Sequence, residues 1–153
     1  MTVKTVITLS VIAITLASCA GKPDDTAPLS VVGTWQLIRA TVVEKGDTTV
    51  TDYTKNRSFI KVINDTHFAF LQHDLTKGND SIAVFAAGGG TYSLAGGLYV
   101  EQLTYCSDRI WEGNPFSFTV SLKHDTLTQR GVENVEQAGI NRTNTETYIR
   151  MQP

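Results

Sequence analysis

Residues 116–123 read Phe-Ser-Phe-Thr-Val-Ser-Leu-Lys. Apolar and polar side chains alternate with a period of two, so one face is apolar and the other is wet. A helix scatters such a pattern around its axis, whereas an antiparallel strand sorts it between two faces. The same grammar recurs along the chain. Residues 98–105 alternate, with Tyr99, Glu101, Leu103 and Tyr105 on one face and Leu98, Val100, Gln102 and Thr104 on the other. Residues 58–63, 67–73, 81–87, 126–130 and 144–151 are further strand candidates. Between them lie turn formers: Lys45-Gly46-Asp47, Asn64-Asp65, Lys77-Gly78-Asn79-Asp80, Ala95-Gly96-Gly97 and His124-Asp125. No stretch has helical periodicity beyond a short turn within residues 132–140. Short strands at hairpin spacing predict an all-β fold, and the simplest topology is an up-and-down antiparallel barrel of about eight to ten strands. Closure also removes exposed sheet edges.

The amino terminus follows different rules. Lys4 precedes an apolar run from Val6 to Ala17, long enough for a signal sequence and short of the roughly 20 residues that span a bilayer. The run ends in Leu16-Ala17-Ser18-Cys19, which resembles the lipobox of bacterial lipoproteins. The resemblance implies cleavage before Cys19, acylation of that residue and attachment of the mature chain to a membrane. Residues 1–18 are then a signal peptide. Residues 19–30, polar and containing Pro23 and Pro28, read as a flexible tether. Residues 31–153 form the barrel domain. Lys22-Pro23-Asp24-Asp25 resembles acidic signals that direct Gram-negative lipoproteins to the outer membrane, although any solvated linker has a similar composition. The expected location is therefore the Gram-negative outer membrane, lipid-anchored, with the periplasmic or surface-exposed face undetermined.

The formal charge is −2, and −3 without residues 1–18, where Lys4 is the one charged side chain. Basic residues are scattered, which argues against a nucleic-acid partner. With Cys19 acylated, Cys106 remains as a lone thiol, so the fold must rest on its packed core.

Gly33-Thr34-Trp35 opens the first strand and looks like the Gly-x-Trp signature of lipocalins and their calycin relatives. Arg150, on the last strand, sits where those families place an Arg that stacks on the Trp. First and last strands of a closed barrel are neighbours, so Gly33, Trp35 and Arg150 are expected to build one barrel end. Asp65-Thr66-His67-Phe68, Gly88-Gly89-Gly90-Thr91-Tyr92, Tyr99-x-Glu101 and Glu146-x-Tyr148-x-Arg150 extend the likeness. Together these motifs resemble a family of lipocalin-like bacterial lipoproteins of unassigned activity. That resemblance implies a fold and no reaction.

Chemistry-bearing motifs are sparse. Gly88-Gly89-Gly90 lacks the Gly-Lys-Ser/Thr that a phosphate loop needs, and reads as a bulge or bend. His67 and His73 share a strand face but stand about 20 Å apart at roughly 3.3 Å per residue, too far to share an ion. No metal or other cofactor is expected. No nucleophile elbow accompanies the Ser, His and Asp residues, and the paired carboxylates that glycoside hydrolysis requires have no cleft to serve. The chain is expected not to be an enzyme. Tyr92, Tyr99, Glu101, Glu146 and Tyr148 are the candidate ligand-binding residues. If their faces point inward, Glu101, Glu146 and Arg150 are expected either to pair within the barrel, with a Tyr hydroxyl or Arg150 against a carboxylate, or to hold a polar head group. The functional expectation is uptake of a small apolar or amphipathic ligand. The alternative is a protein-interaction module, an inhibitor or accessory lipoprotein, with a solid core. An internal cavity separates the two.

Overall fold

The computed structural model describes residues 29–79 and 83–152. The expected signal peptide, Cys19 and all but the last two residues of the expected tether lie outside these residues. Nine antiparallel strands follow in chain order: β1 (Gly33–Glu44), β2 (Asp47–Asp52), β3 (Arg57–Ile63), β4 (His67–Asp74), β5 (Phe85–Ala95), β6 (Leu98–Cys106), β7 (Pro115–Lys123), β8 (Thr126–Val135) and β9 (Ile140–Arg150). Each strand from β3 to β9 pairs with the next, and β9 pairs back onto β1. The result is a closed eight-stranded up-and-down barrel, with β2 as a ninth strand beside it. Among the described residues the helical content is two single 3₁₀ turns, Arg109–Trp111 and Glu136–Ala138.

β1 explains the extra strand. Its first residues, Gly33 to Gln36, pair with β3, while Arg39 to Glu44 pair with β2 along the same edge. The change occurs at a bulge: Leu37 faces Tyr148 of β9 and Arg39 faces Thr147, leaving Ile38 without a partner in that ladder. One extra residue reverses the period-two phase. Trp35 and Leu37 are buried before the bulge, and Ala40 is buried after it. Among the described residues no ladder joins β2 to β3, so the sheet parts at this end of the barrel.

A second bulge corrects an expectation. Gly89 pairs with Tyr105 and Gly90 with Leu103, which leaves Thr104 of β6 unopposed. Tyr99, Glu101 and Leu103 are buried, but the phase reverses beyond them. Tyr105 therefore does not share their face: it is 71% exposed, and Cys106 turns toward the interior instead. The backbones approach so closely that a Cβ on Gly90 would collide with the Gln102 carbonyl oxygen. Gly90 is thus a packing requirement of the bulge, while Gly88 and Gly89 are pressed against the Phe70 ring and the Phe68 carbonyl of β4. The triple glycine lies inside β5, which begins at Phe85 and continues to Ala95. β5 accordingly differs from the candidate at residues 81–87, of which 81 and 82 are outside the described residues.

The core fills one half of the barrel. Val31, Trp35, Leu37, Phe68, Tyr99, Val120 and Leu127 are all buried there. Gly33 has φ 145°, which a side chain rarely adopts, and a Cβ on it would strike the Arg150 guanidinium. Glycine at this position lets the first strand begin directly beneath that side chain.

Candidate functional site

The two ends of the barrel differ. At the filled end the Arg150 guanidinium carbon lies 4.1 Å from the centre of the Trp35 ring. Arg150 Nη1 donates to the Val32 carbonyl at 2.8 Å, and Trp35 Nε1 donates to the Val31 carbonyl at 2.8 Å. Trp35 and Arg150 are paired in register across β1 and β9. This end is closed by a stacked cation and an indole whose polar atom is satisfied.

The opposite end holds a cavity of about 580 Å³. Its wall combines aromatic side chains, among them Tyr53, Phe59, Phe70, Trp111 and Phe116, with an unusual density of charge: Lys61, Glu101, Glu133, Arg142 and Glu146. Strand alternation carries these charges inward. On β9, Arg142, Asn144, Glu146 and Tyr148 occupy successive inward positions, and on β8 Gln129 and Glu133 point inward on either side of Gly131.

Lys61 is the hub. It is 3% exposed, and Nζ donates to Glu101 Oε1 at 2.8 Å and to Gln129 Oε1 at 3.2 Å. The rings of Tyr148, Phe68 and Tyr99 surround the ammonium, with centroids at 5.4, 5.6 and 5.9 Å. Gln129 relays the network onward: Nε2 donates to Glu146 Oε2 at 2.6 Å. Glu146 also accepts from the Tyr148 hydroxyl at 2.7 Å and from Asn144 Nδ2 at 3.2 Å. Asn144 Nδ2 donates in addition to Glu133 Oε1 at 2.8 Å, and Arg142 Nε donates to Glu133 Oε2 at 2.6 Å. The Arg142 guanidinium lies 5.1 Å from the Trp111 ring centre. Unpaired charges in such a setting are very costly, and each of the two cations here has its own carboxylate.

The titration behaviour follows from burial. Withdrawal from water pushes the Glu146 carboxyl above its ordinary range, partly opposed by the Lys61 charge and by the Tyr148 hydrogen bond. Burial also raises the Tyr53 phenol, with the Glu146 charge next in importance, and raises Tyr148 well above the usual value for the same two reasons. Tyr99 is raised by burial and then by the Glu101 charge.

The residues singled out from sequence are distributed unevenly. Glu101, Glu146 and Tyr148 line the cavity. Tyr99 is buried with its hydroxyl unpartnered among the described residues. Tyr92 packs against Tyr99 at 5.1 Å, and its hydroxyl donates to the Asn64 carbonyl at 2.8 Å, next to Ile63, the partner of Gly33, so it serves the closed end and not the cavity. Arg150 belongs to the closed end, and the guanidinium in the cavity is that of Arg142. His67 and His73 are exposed. Lys61, Gln129, Glu133, Arg142 and Asn144 escaped sequence reasoning. The available signal for Lys61 was a lone ammonium inside the apolar run Phe59-Ile60-Lys61-Val62-Ile63. No protein-family model and no curated protein matches this chain.

Proposed function

We propose that this protein is a membrane-anchored lipoprotein of the bacterial envelope whose lipocalin-like barrel takes up a small apolar or amphipathic molecule without catalysing a reaction. The cavity carries this reading. Its volume of about 580 Å³ falls within the roughly 300–1,000 Å³ of small-molecule sites, and its aromatic wall is of the kind that packs a ligand body, although it is more densely charged than most such sites. An eight-stranded barrel is just wide enough to be filled by side chains or to hold one small ligand. Here the Trp35 end is filled and the Glu146 end is not. The run Leu16 to Cys19 supports the anchor, and Lys22-Pro23-Asp24-Asp25 supports the outer membrane.

Two experiments test the two halves of the proposal. Native mass spectrometry of the full chain extracted from membranes should show a one-to-one small-molecule adduct; a bare mass, together with failure to bind any amphipathic probe, would refute uptake. Labelling with a clickable fatty acid should tag the wild type and spare Cys19→Ser. Equal labelling of both would refute acylation at that residue.

One observation favours the interaction-module reading. Phe85 is 72% exposed and Tyr105 71% exposed on the outer wall, where a partner protein would meet aromatic surface. Replacing both with Ser should abolish partner capture on that reading and leave ligand uptake unchanged on the one preferred here.

A further inference from the structure

The cavity wall carries five carboxylates, Glu44, Glu101, Asp108, Glu133 and Glu146, against two cations, Lys61 and Arg142. The cations are taken: Lys61 by Glu101 and Arg142 by Glu133, at 2.8 and 2.6 Å. Among the described residues no cation lies within ion-pair distance of Glu146. An anionic ligand such as a fatty acid would have to break one of these pairs to find a counter-charge. A cationic ligand finds one ready.

A second, independent observation points the same way. Asn144 lines the cavity and is 5% exposed. Its Nδ2 donates to Glu133 and to Glu146. Glu133, ion-paired with Arg142, only accepts, so its bond fixes which way the amide is turned. Oδ1 is thereby committed as an acceptor, and among the described residues it has no hydrogen-bond partner. A buried acceptor without a donor is a cost that a ligand's N–H groups would relieve. Beside it stands Glu146, one of three carboxylates in the wall, with Glu44 and Asp108, that have no ion-pair partner among the described residues.

We infer that the occupant of the cavity carries an organic ammonium group, seated against Glu146 and Asn144 Oδ1, on an aromatic or aliphatic body that packs between Tyr53, Phe59, Phe70 and Tyr148. This deepens the uptake reading and rests on it. The aromatic faces suit the same ligand, because ring quadrupoles attract an ammonium as well as an apolar stem.

The test uses three probes of one body and different heads. Phenethylammonium, phenethyl alcohol and hydrocinnamate are titrated calorimetrically into the purified full chain near neutral pH. The ammonium should bind at least about ten-fold more tightly than either of the others, since a charge-assisted hydrogen bond in place of a neutral one is worth that much or more. Glu146→Gln should bring the ammonium to within about two-fold of the alcohol. Glu133→Gln, which releases Arg142, should strengthen hydrocinnamate binding and keep the ammonium in the cavity. Alcohol binding as tight as ammonium binding means that Glu146 stays protonated and overturns the inference. So does a wild type that prefers hydrocinnamate, or a folded Glu146→Gln that keeps the ammonium preference. The wild-type ranking decides the matter if the variants do not fold. Binding of all three without a cation preference sinks this inference alone, whereas binding of none sinks the uptake reading with it.

Discussion

Replacing Lys61 with Met tests the polar interior at its hub. The methionine stem keeps most of the apolar packing inside the ring of Phe68, Tyr99 and Tyr148, so the change isolates the charge. The lysine side chain is 4% exposed and that of its partner Glu101 is 8% exposed. At such burial, removal of one member leaves the other uncompensated, and the loss is about 3–5 kcal/mol. For a domain of this size that lowers the melting temperature by about 10–20 °C, at roughly 4 °C per kcal/mol. Arg109→Ala is the control. It removes an ion pair whose members are 82% and 21% exposed, and its contribution is about 0–1 kcal/mol. Adding Glu101→Leu to Lys61→Met removes the stranded charge, so the double variant should recover about 1–3 kcal/mol of the sum of the single losses. Urea denaturation of wild type, the three single variants Lys61→Met, Glu101→Leu and Arg109→Ala, and the double variant reads the free energies, and thermal melting reads the shift in temperature. The reasoning fails if Lys61→Met costs no more than Arg109→Ala, or if the double-variant losses simply add.

Further outcomes follow from other parts of the barrel. Arg150→Ala removes the stack on Trp35 and the bond to the Val32 carbonyl, and should cost about 1–3 kcal/mol in urea denaturation; a midpoint unchanged from wild type would show that the closed end is not held by this side chain. Gly90→Ala drives a Cβ into the Gln102 carbonyl and should cost at least the about 1–3 kcal/mol typical of overpacking, read by thermal melting. Glu146 provides a pH signature. Its folded-state pKa is raised by burial above the ordinary 4.5, so its contribution to stability is fully present below the unfolded value and is lost as pH rises through the folded one. The stability of wild type relative to Glu146→Gln should therefore fall as pH rises from the ordinary glutamate range, and a rise over that window would reverse the sign of the argument.

Much of the barrel was legible because alternation is a local signal. Phe116, Phe118 and Val120 face inward on β7 as their spacing dictates, and Ser117, Thr119 and Ser121 face out. The meeting of Trp35 and Arg150 follows from closure, since first and last strands must be neighbours. Bulges were not legible. Ile38 and Thr104 each reverse the phase of a strand, and nothing in their side chains announces it, so Tyr105 was placed on the wrong face. β2 was missed because Thr48, Thr49 and Thr51 give it no apolar face to read. The charged interior was obscured for a related reason. β9 alternates Arg142, Asn144 and Glu146 with Thr143, Thr145 and Thr147, so both faces are polar and hydrophobicity cannot tell inside from outside. Lys61 had the converse difficulty, in a strand that is apolar on both sides. Whether the barrel is full or hollow depends on the summed volumes of facing side chains, which only the register of all eight strands determines.

The central claim is that the Glu146 end of the barrel receives a small molecule. Ala40 lies in the cavity wall just past the β1 bulge, and Ala40→Phe would place a ring in the space the ligand needs while leaving the Trp35 end untouched. Native mass spectrometry of wild type and Ala40→Phe, extracted from the same membranes and then offered the same amphipathic amine, is the most direct measurement. A one-to-one adduct is expected on the wild type and is expected to be absent from the folded variant. Equal adducts on both proteins, or none on the wild type at any amine concentration, would contradict that claim.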